Sequence, residues 1–150
     1  MPRRTWSGPD LAGRRPRLLI EDGRPALAIS DFSLFQEAGF DVAFCSGPGS
    51  DPRGCPLLRG QPCALADKAD VVLHGLDPGL GVAAAVRGRR PDLPVVVEQA
   101  PQRDGAIGPV PAGCVPLGYP CSVRGQIDTL LRAEAAARHA HARRATGGRA

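Results

Sequence analysis

The sequence predicts an α/β domain in which five parallel strands carry helices on both faces. Three observations predict it. Short apolar runs alternate with segments of helical spacing from residue 17 to residue 144. The run 93–100 holds three consecutive valines, the mark of a strand buried on both faces. Stretches rich in Gly and Pro fall between the runs, where connections belong. Helices between successive strands imply parallel crossovers, and the commonest small order for five strands is 2-1-3-4-5.

The elements follow in order. RLLIED (17–22) is an apolar run closed by acids and Gly23. Pro25 suits the first turn of a helix, where its missing N–H costs nothing. From residue 26 to residue 38, Leu27, Phe32, Leu34, Phe35 and Ala38 approximate helical spacing, and Gly39 suits the stop. DVAFC (41–45) is the second strand and SGPGSDPRG (46–54) a loop. Residues 55–69 hold at most one or two turns of helix. DVVLHGL (70–76) is the third strand, 81–90 a short Ala-rich helix, and LPVVVEQA (93–100) the fourth strand. Residues 101–112 contain three Pro and two Gly, so no helix is expected there. GCVPLGY (113–119) is a fifth strand with Pro116 awkwardly at its centre. Residues 122–144 form the last helix, with Ser122 as N-cap and Ile127, Leu130, Leu131 and Ala135 as its apolar stripe.

The chain of 150 residues has the length of one domain and can bury a core without disulfides or metal. No run is long enough for a transmembrane helix, and the N-terminus lacks the apolar region of a secretory signal. A cytoplasmic protein is expected. Eighteen Arg against one Lys, with abundant Ala, Gly and Pro, reads as the output of a GC-rich bacterial genome of actinobacterial type. Charge is unevenly spread. Residues 1–17 and 132–150 hold ten Arg against two acids, and residues 18–131 hold nine basic against thirteen acidic residues. The expected organisation is a flexible basic tail (1–16), a domain (17–138) and a second basic tail (139–150). Basic tails can contact phosphates, but Trp6 is the only aromatic in either, so solvated ends are the reading and nucleic acid is not the expected partner.

Five phrases in order, RLLIEDGRPAL, QEAGFDVAFC, ADVVLHGLDPG, RRPDLPVVVEQA and GCVPLGYP, resemble the receiver domain of response regulators over residues 17–138. The resemblance implies a flavodoxin-like fold and a place in two-component phosphorelay signal transduction. It also implies an Asp phospho-acceptor ending the third strand, acids after the first strand holding Mg²⁺, a Ser or Thr ending the fourth strand, and a Lys before a Pro after the fifth. Set against that pattern, Asp22 matches one acid and Gly23 stands at its partner's place. Gly75 stands at the acceptor position, with Asp77 two residues on as a displaced candidate. Gln99 replaces the hydroxyl residue. Tyr119 replaces the Lys, Pro120 is kept, and Lys68, the only lysine, precedes the third strand. The expectation is a degenerate receiver, or pseudo-receiver, with its fourth helix lost. It needs no cofactor, with Mg²⁺ only if the acidic site works, and no DNA-binding segment is expected after the last helix.

Cys45, Cys55, Cys63, Cys114 and Cys121 are five thiols without secretory context, so no disulfide framework is expected. Their C-x9-C-x7-C spacing is looser than that of zinc or cluster motifs. Cys45, Cys55, Cys63 and Cys121 are redox candidates, with Cys55 and Cys63 as the favoured pair, and Cys121 stands at a helix start where a thiol gains reactivity. His74 ends the third strand and reads as a histidine hydrogen-bonded at the sheet end, with convergence on Asp22 as the one functional alternative. His139 and His141 point apart on the last helix and make no metal pair. GLDPGLG (75–81) lacks the Lys and Ser/Thr of a phosphate-binding loop and reads as a plain turn. No metal site, no Ser/His/Asp set and no carboxylate cluster is legible, so the chain is not expected to be an enzyme. The leading reading is a stand-alone module that binds a protein partner without phosphorylation. The alternatives are a cysteine-based redox or metal sensor, and a true phospho-receiver using Asp77.

Overall fold

The computed structural model describes residue 6, residues 13–99 and residues 108–148. The strands are β1 (Arg17–Asp22), β2 (Asp41–Cys45), β3 (Val71–Gly75), β4 (Val95–Glu98) and β5 (Val115–Leu117). The helices are α1 (Pro25–Glu37), α2 (Val82–Arg89) and α3 (Val123–Gly147). All strand pairs are parallel, in the order β2-β1-β3-β4-β5. This is the flavodoxin-like arrangement.

Strand alternation divides the core into two layers. Leu18, Ile20, Val42, Phe44, Leu73, Val96 and Leu117 face α1 and α3, where Phe35 and Leu130 are buried. Leu19, Ala43, Val72, Val95 and Val97 face α2, with Val82, Ala83 and Val86. The long β2–β3 connection also packs on this second layer through Leu57 and Ala66. It contains three short 3₁₀ turns (Pro52–Gly54, Leu57–Arg59, Ala66–Lys68) and no α-helix, because its Gly and Pro content denies a longer run its hydrogen bonds.

Most boundaries agree with the sequence reading within two residues. Ser122 caps α3, its Oγ accepting from the Gly125 N–H at 3.1 Å. Gly39 closes the turn after α1 at φ +107°, a conformation that L side chains rarely adopt. Pro116 is accommodated because β5 is an edge strand, where one missing donor can face away from the ladder. Residues 108–112 are irregular, and the rest of the expected loop, 101–107, lies outside the described residues. Two features modify the picture at the ends. Trp6, in the segment expected as a tail, is buried, its Nε1 donating to the Asp41 carbonyl at 3.2 Å, with the Arg17 guanidinium 5.7 Å from its ring. Arg14 pairs with Asp70, and Arg15 donates to the Gln36 and Gly39 carbonyls. At the other end α3 continues through 139–147 as exposed helix.

Candidate functional site

The strand register places two polar groups at the carboxyl end of the sheet, one on each face. On the α1/α3 face, Asp22 of β1 pairs in register with Gly75 of β3, and Glu98 ends β4 beside them. A Cβ built on Gly75 would lie 3.3 Å from Glu98 Oε2 and 3.5 Å from Asp22 Oδ2. The space that a side chain at this strand end would enter is thus bounded by two carboxylates. Glu98 is held there by Gln126 of α3, whose Nε2 donates to Glu98 Oε1 at 3.2 Å. Asp22 is held by Arg24: Oδ1 accepts from the Arg24 N–H at 2.7 Å and from its Nε at 3.2 Å, and Oδ2 from its Nη2 at 3.3 Å. These groups and Asp31 of α1 line a cavity of about 160 Å³.

The electrostatics follow from burial. Desolvation raises the Glu98 carboxyl above its ordinary value of 4.5, and the neighbouring Asp22 charge raises it further. Arg24 is raised in turn by its hydrogen bond and charge contact with Asp22. The fit to Mg²⁺, which the receiver resemblance implies, is poor. Both Asp22 oxygens are engaged by a guanidinium, and among the described residues no group of three or more His, Cys, Asp or Glu is arranged to hold a metal ion.

Gly75 therefore sits at the strand end where the sequence reading put the acceptor, while Asp77 does not reach the site. Asp77 is exposed, and its Oδ1 caps the Pro78–Leu80 turn by accepting from the Gly79 N–H at 2.8 Å. That turn uses its own N–H groups internally, in agreement with a plain strand-to-helix turn. Gln99 follows the end of β4, and its N–H joins the ladder by donating to the Leu117 carbonyl. Tyr119 is largely exposed beyond β5.

The alternative convergence of His74 with Asp22 does not form. His74 and Glu21 lie on the α2 face and form a buried pair, Nδ1 to Oε1 at 3.4 Å. Successive residues of a strand point to opposite faces, so His74 shares Glu21's side and Gly75 shares Asp22's. Cys45 ends β2 in register with Glu21, on the same face. Cys121 packs into the other layer, so Cys45 and Cys121 flank the sheet from opposite sides. Glu98 was legible from sequence as a residue at the carboxyl end of the fourth strand but not as a site residue, and Gln126 and Asp31 were missed. The one usable signal was Glu98 as the last residue of an apolar run.

No protein-family model matches the chain, and no curated protein matches it. Solved structures do. A response regulator receiver protein from Sinorhizobium medicae WSM419 shares 22% identity, with a TM-score of 0.55, over 82% of this chain and 97% of that one. A sensor protein from Polaromonas sp. JS666 shares 21% with a TM-score of 0.56, over 82% and 98%. A CheY-like receiver domain protein from Methanospirillum hungatei JF-1 shares 13% with a TM-score of 0.55, over 83% and 98%. The fold is that of response-regulator receiver domains. What this particular receiver fold carries at its strand ends is a glycine between two carboxylates.

Proposed function

We propose that the chain is a degenerate receiver-like signalling module that binds a protein partner without being phosphorylated. One observation carries the reading: Gly75, at the acceptor position, has no nucleophile, and the Glu98 carboxylate stands beside the place its side chain would take. A phosphoryl group needs a nucleophile to accept it and cations to neutralise it. Here the groups nearest a side chain at Gly75 are the Glu98 and Asp22 carboxyl oxygens and the Glu21 carbonyl, and the cation beside Asp22 is Arg24. A side chain from β4 that borders this strand end in place of an acceptor is suited to constitutive partner binding rather than to phosphorylation-driven switching. The receiver-like body takes in 17–138 together with Trp6 from the basic N-terminal segment, and α3 carries on past 138 to Gly147. It acts as a binding module rather than an enzyme, in a bacterial cytoplasm. No described helix is long and apolar enough to cross a membrane.

The test is the intact mass of the full chain after incubation with acetyl phosphate and Mg²⁺. No phosphoryl adduct is expected. An adduct mapped to Asp77 would overturn the reading and restore a phosphorelay role. Partner capture with and without the phosphodonor should give the same bound fraction.

A further inference from the structure

On the α2 face, three of the five thiols meet at one small cavity. Cys45, Cys55 and Cys63 line a space of about 60 Å³, closed by Glu21, Leu57 and Val82. All five cysteines are free thiols. Cys114 does not line this cavity, and Cys121 packs against the opposite face. The volume corresponds to roughly two water molecules, so it suits a small oxidant and excludes an ordinary metabolite.

The three positions differ in mobility and in electrostatic neighbours. Cys45 is fixed at the end of β2 by ladder pairing, and its Sγ accepts from the Gly47 N–H at 3.4 Å. Cys55 and Cys63 lie in the irregular β2–β3 connection, which pairs with no strand and is held by 3₁₀ turns, side-chain packing and the Arg89 and Arg90 contacts to residues 66–69. A segment of that kind yields locally at lower cost than a strand. The Arg89 guanidinium on the Cys63 side is paired with Asp67, its Nε and Nη2 donating to the carboxylate at 2.6 and 2.9 Å, whereas Cys45 shares the cavity wall with the Glu21 carboxylate. Burial foremost pushes the Cys45 thiol up. A sulfur anion is disfavoured in a buried site beside a carboxylate, which makes Cys45 the thiol that reacts second.

We propose that this cavity is a hydroperoxide-reactive dithiol site, in which Cys63 is oxidised first and Cys45 resolves it to a reversible disulfide. The Cys63 thiolate attacks the terminal oxygen of the hydroperoxide. The O–O bond breaks, the alcohol (water, for hydrogen peroxide) leaves with a proton, and Cys63 becomes a sulfenic acid. The Cys45 sulfur then attacks the Cys63 sulfur. The S–S bond forms, the S–O bond breaks, and hydroxide leaves with the Cys45 proton as water. Two thiols have lost two electrons and two protons, and the hydroperoxide has gained them. The bond would tie the end of β2 to the loop that packs on α2, so oxidation would be felt at the carboxyl rim of the sheet.

The experiment uses the reduced full chain and stoichiometric hydrogen peroxide, followed by alkylation, trypsin digestion and mass mapping. Arg53 and Arg59 lie between the three cysteines, so cleavage puts each on its own peptide. The expected result is a linked pair joining the Cys45 and Cys63 peptides, reversed by a dithiol reductant, with Cys55, Cys114 and Cys121 alkylated. In Cys45→Ser, dimedone should label Cys63; in Cys63→Ser, neither disulfide nor label should form at Cys45. Circular dichroism of both variants checks that they fold. Five alkylated thiols after peroxide, an intermolecular bond, or a bond to Cys55, Cys114 or Cys121 would overturn the assignment. The wild-type mapping needs no variant, and its outcome is independent of phosphodonor reactivity.

Discussion

Replacing Glu98 by glutamine should stabilise the protein at neutral pH and leave it unchanged in acid. Glu98 Oε2 and Asp22 Oδ2 lie 3.3 and 3.5 Å from one point, the place of a Cβ on Gly75, so they are at most about 7 Å apart. At an effective dielectric constant of about 20, two charges at that separation repel by about 2 kcal/mol. The Arg24 charge also acts on Glu98 and offsets part of this, leaving an expected gain of about 1 kcal/mol for Glu98→Gln. The amide oxygen keeps the acceptor that Gln126 uses, while an N–H donor replaces Oε2 on the side of Asp22 and the charge is removed. The sign follows from linkage. The folded-state carboxyl is raised, so the folded protein holds this proton to higher pH than the unfolded chain. Stability therefore falls as pH rises from the ordinary carboxyl range through the raised value, and is level above it. Below the ordinary range both states are protonated and the substitution is neutral. Urea unfolding of both proteins at neutral pH and in acid reads the difference, and the melting temperature should rise by roughly 2–4 °C at neutral pH. A Glu98→Gln protein that is weaker at neutral pH, or equally stabilised at both, would refute the argument that two close carboxylates repel at this strand end.

Two further outcomes follow from the same geometry. Trp6→Ala removes a buried ring, its bond to the Asp41 carbonyl and its stacking with Arg17, and should cost about 3–5 kcal/mol in urea unfolding. A loss under about 1 kcal/mol would show that the N-terminal segment is not docked. Ser122→Ala removes the N-cap of α3 and should cost about 1 kcal/mol, measured the same way, with the helical circular dichroism retained.

Much of the scaffold was legible before any coordinates. β1, β2 and β3 are apolar runs bounded by Gly, Pro and acids, and they appear at the expected places. The absence of a nucleophile at position 75 was equally plain, because a missing side chain needs no geometry to be recognised. What occupies the resulting space was not. Val95, Val96 and Val97 do not alternate in polarity, so nothing in the run says which face Glu98 takes. The alternative that brought His74 to Asp22 failed for a related reason, while its reading as a hydrogen-bonded sheet-end histidine agrees with the Glu21 pair. Alternation within β3 is visible, but its phase relative to β1 depends on the register Glu21↔His74 and Asp22↔Gly75.

The sequence by itself determined the order of elements, the two-sided burial of the central strands and the chemical gap at Gly75. These depend on local pattern and residue type, which the chain carries in linear form. Only the tertiary structure decided that Glu98 borders that gap, that Trp6 belongs to the core, and that Cys45, Cys55 and Cys63 share one cavity while Cys121 lies across the sheet. Each of these depends on inter-strand phase or on how an irregular segment folds back. Pairing and packing between distant residues set both, and no local periodicity encodes them.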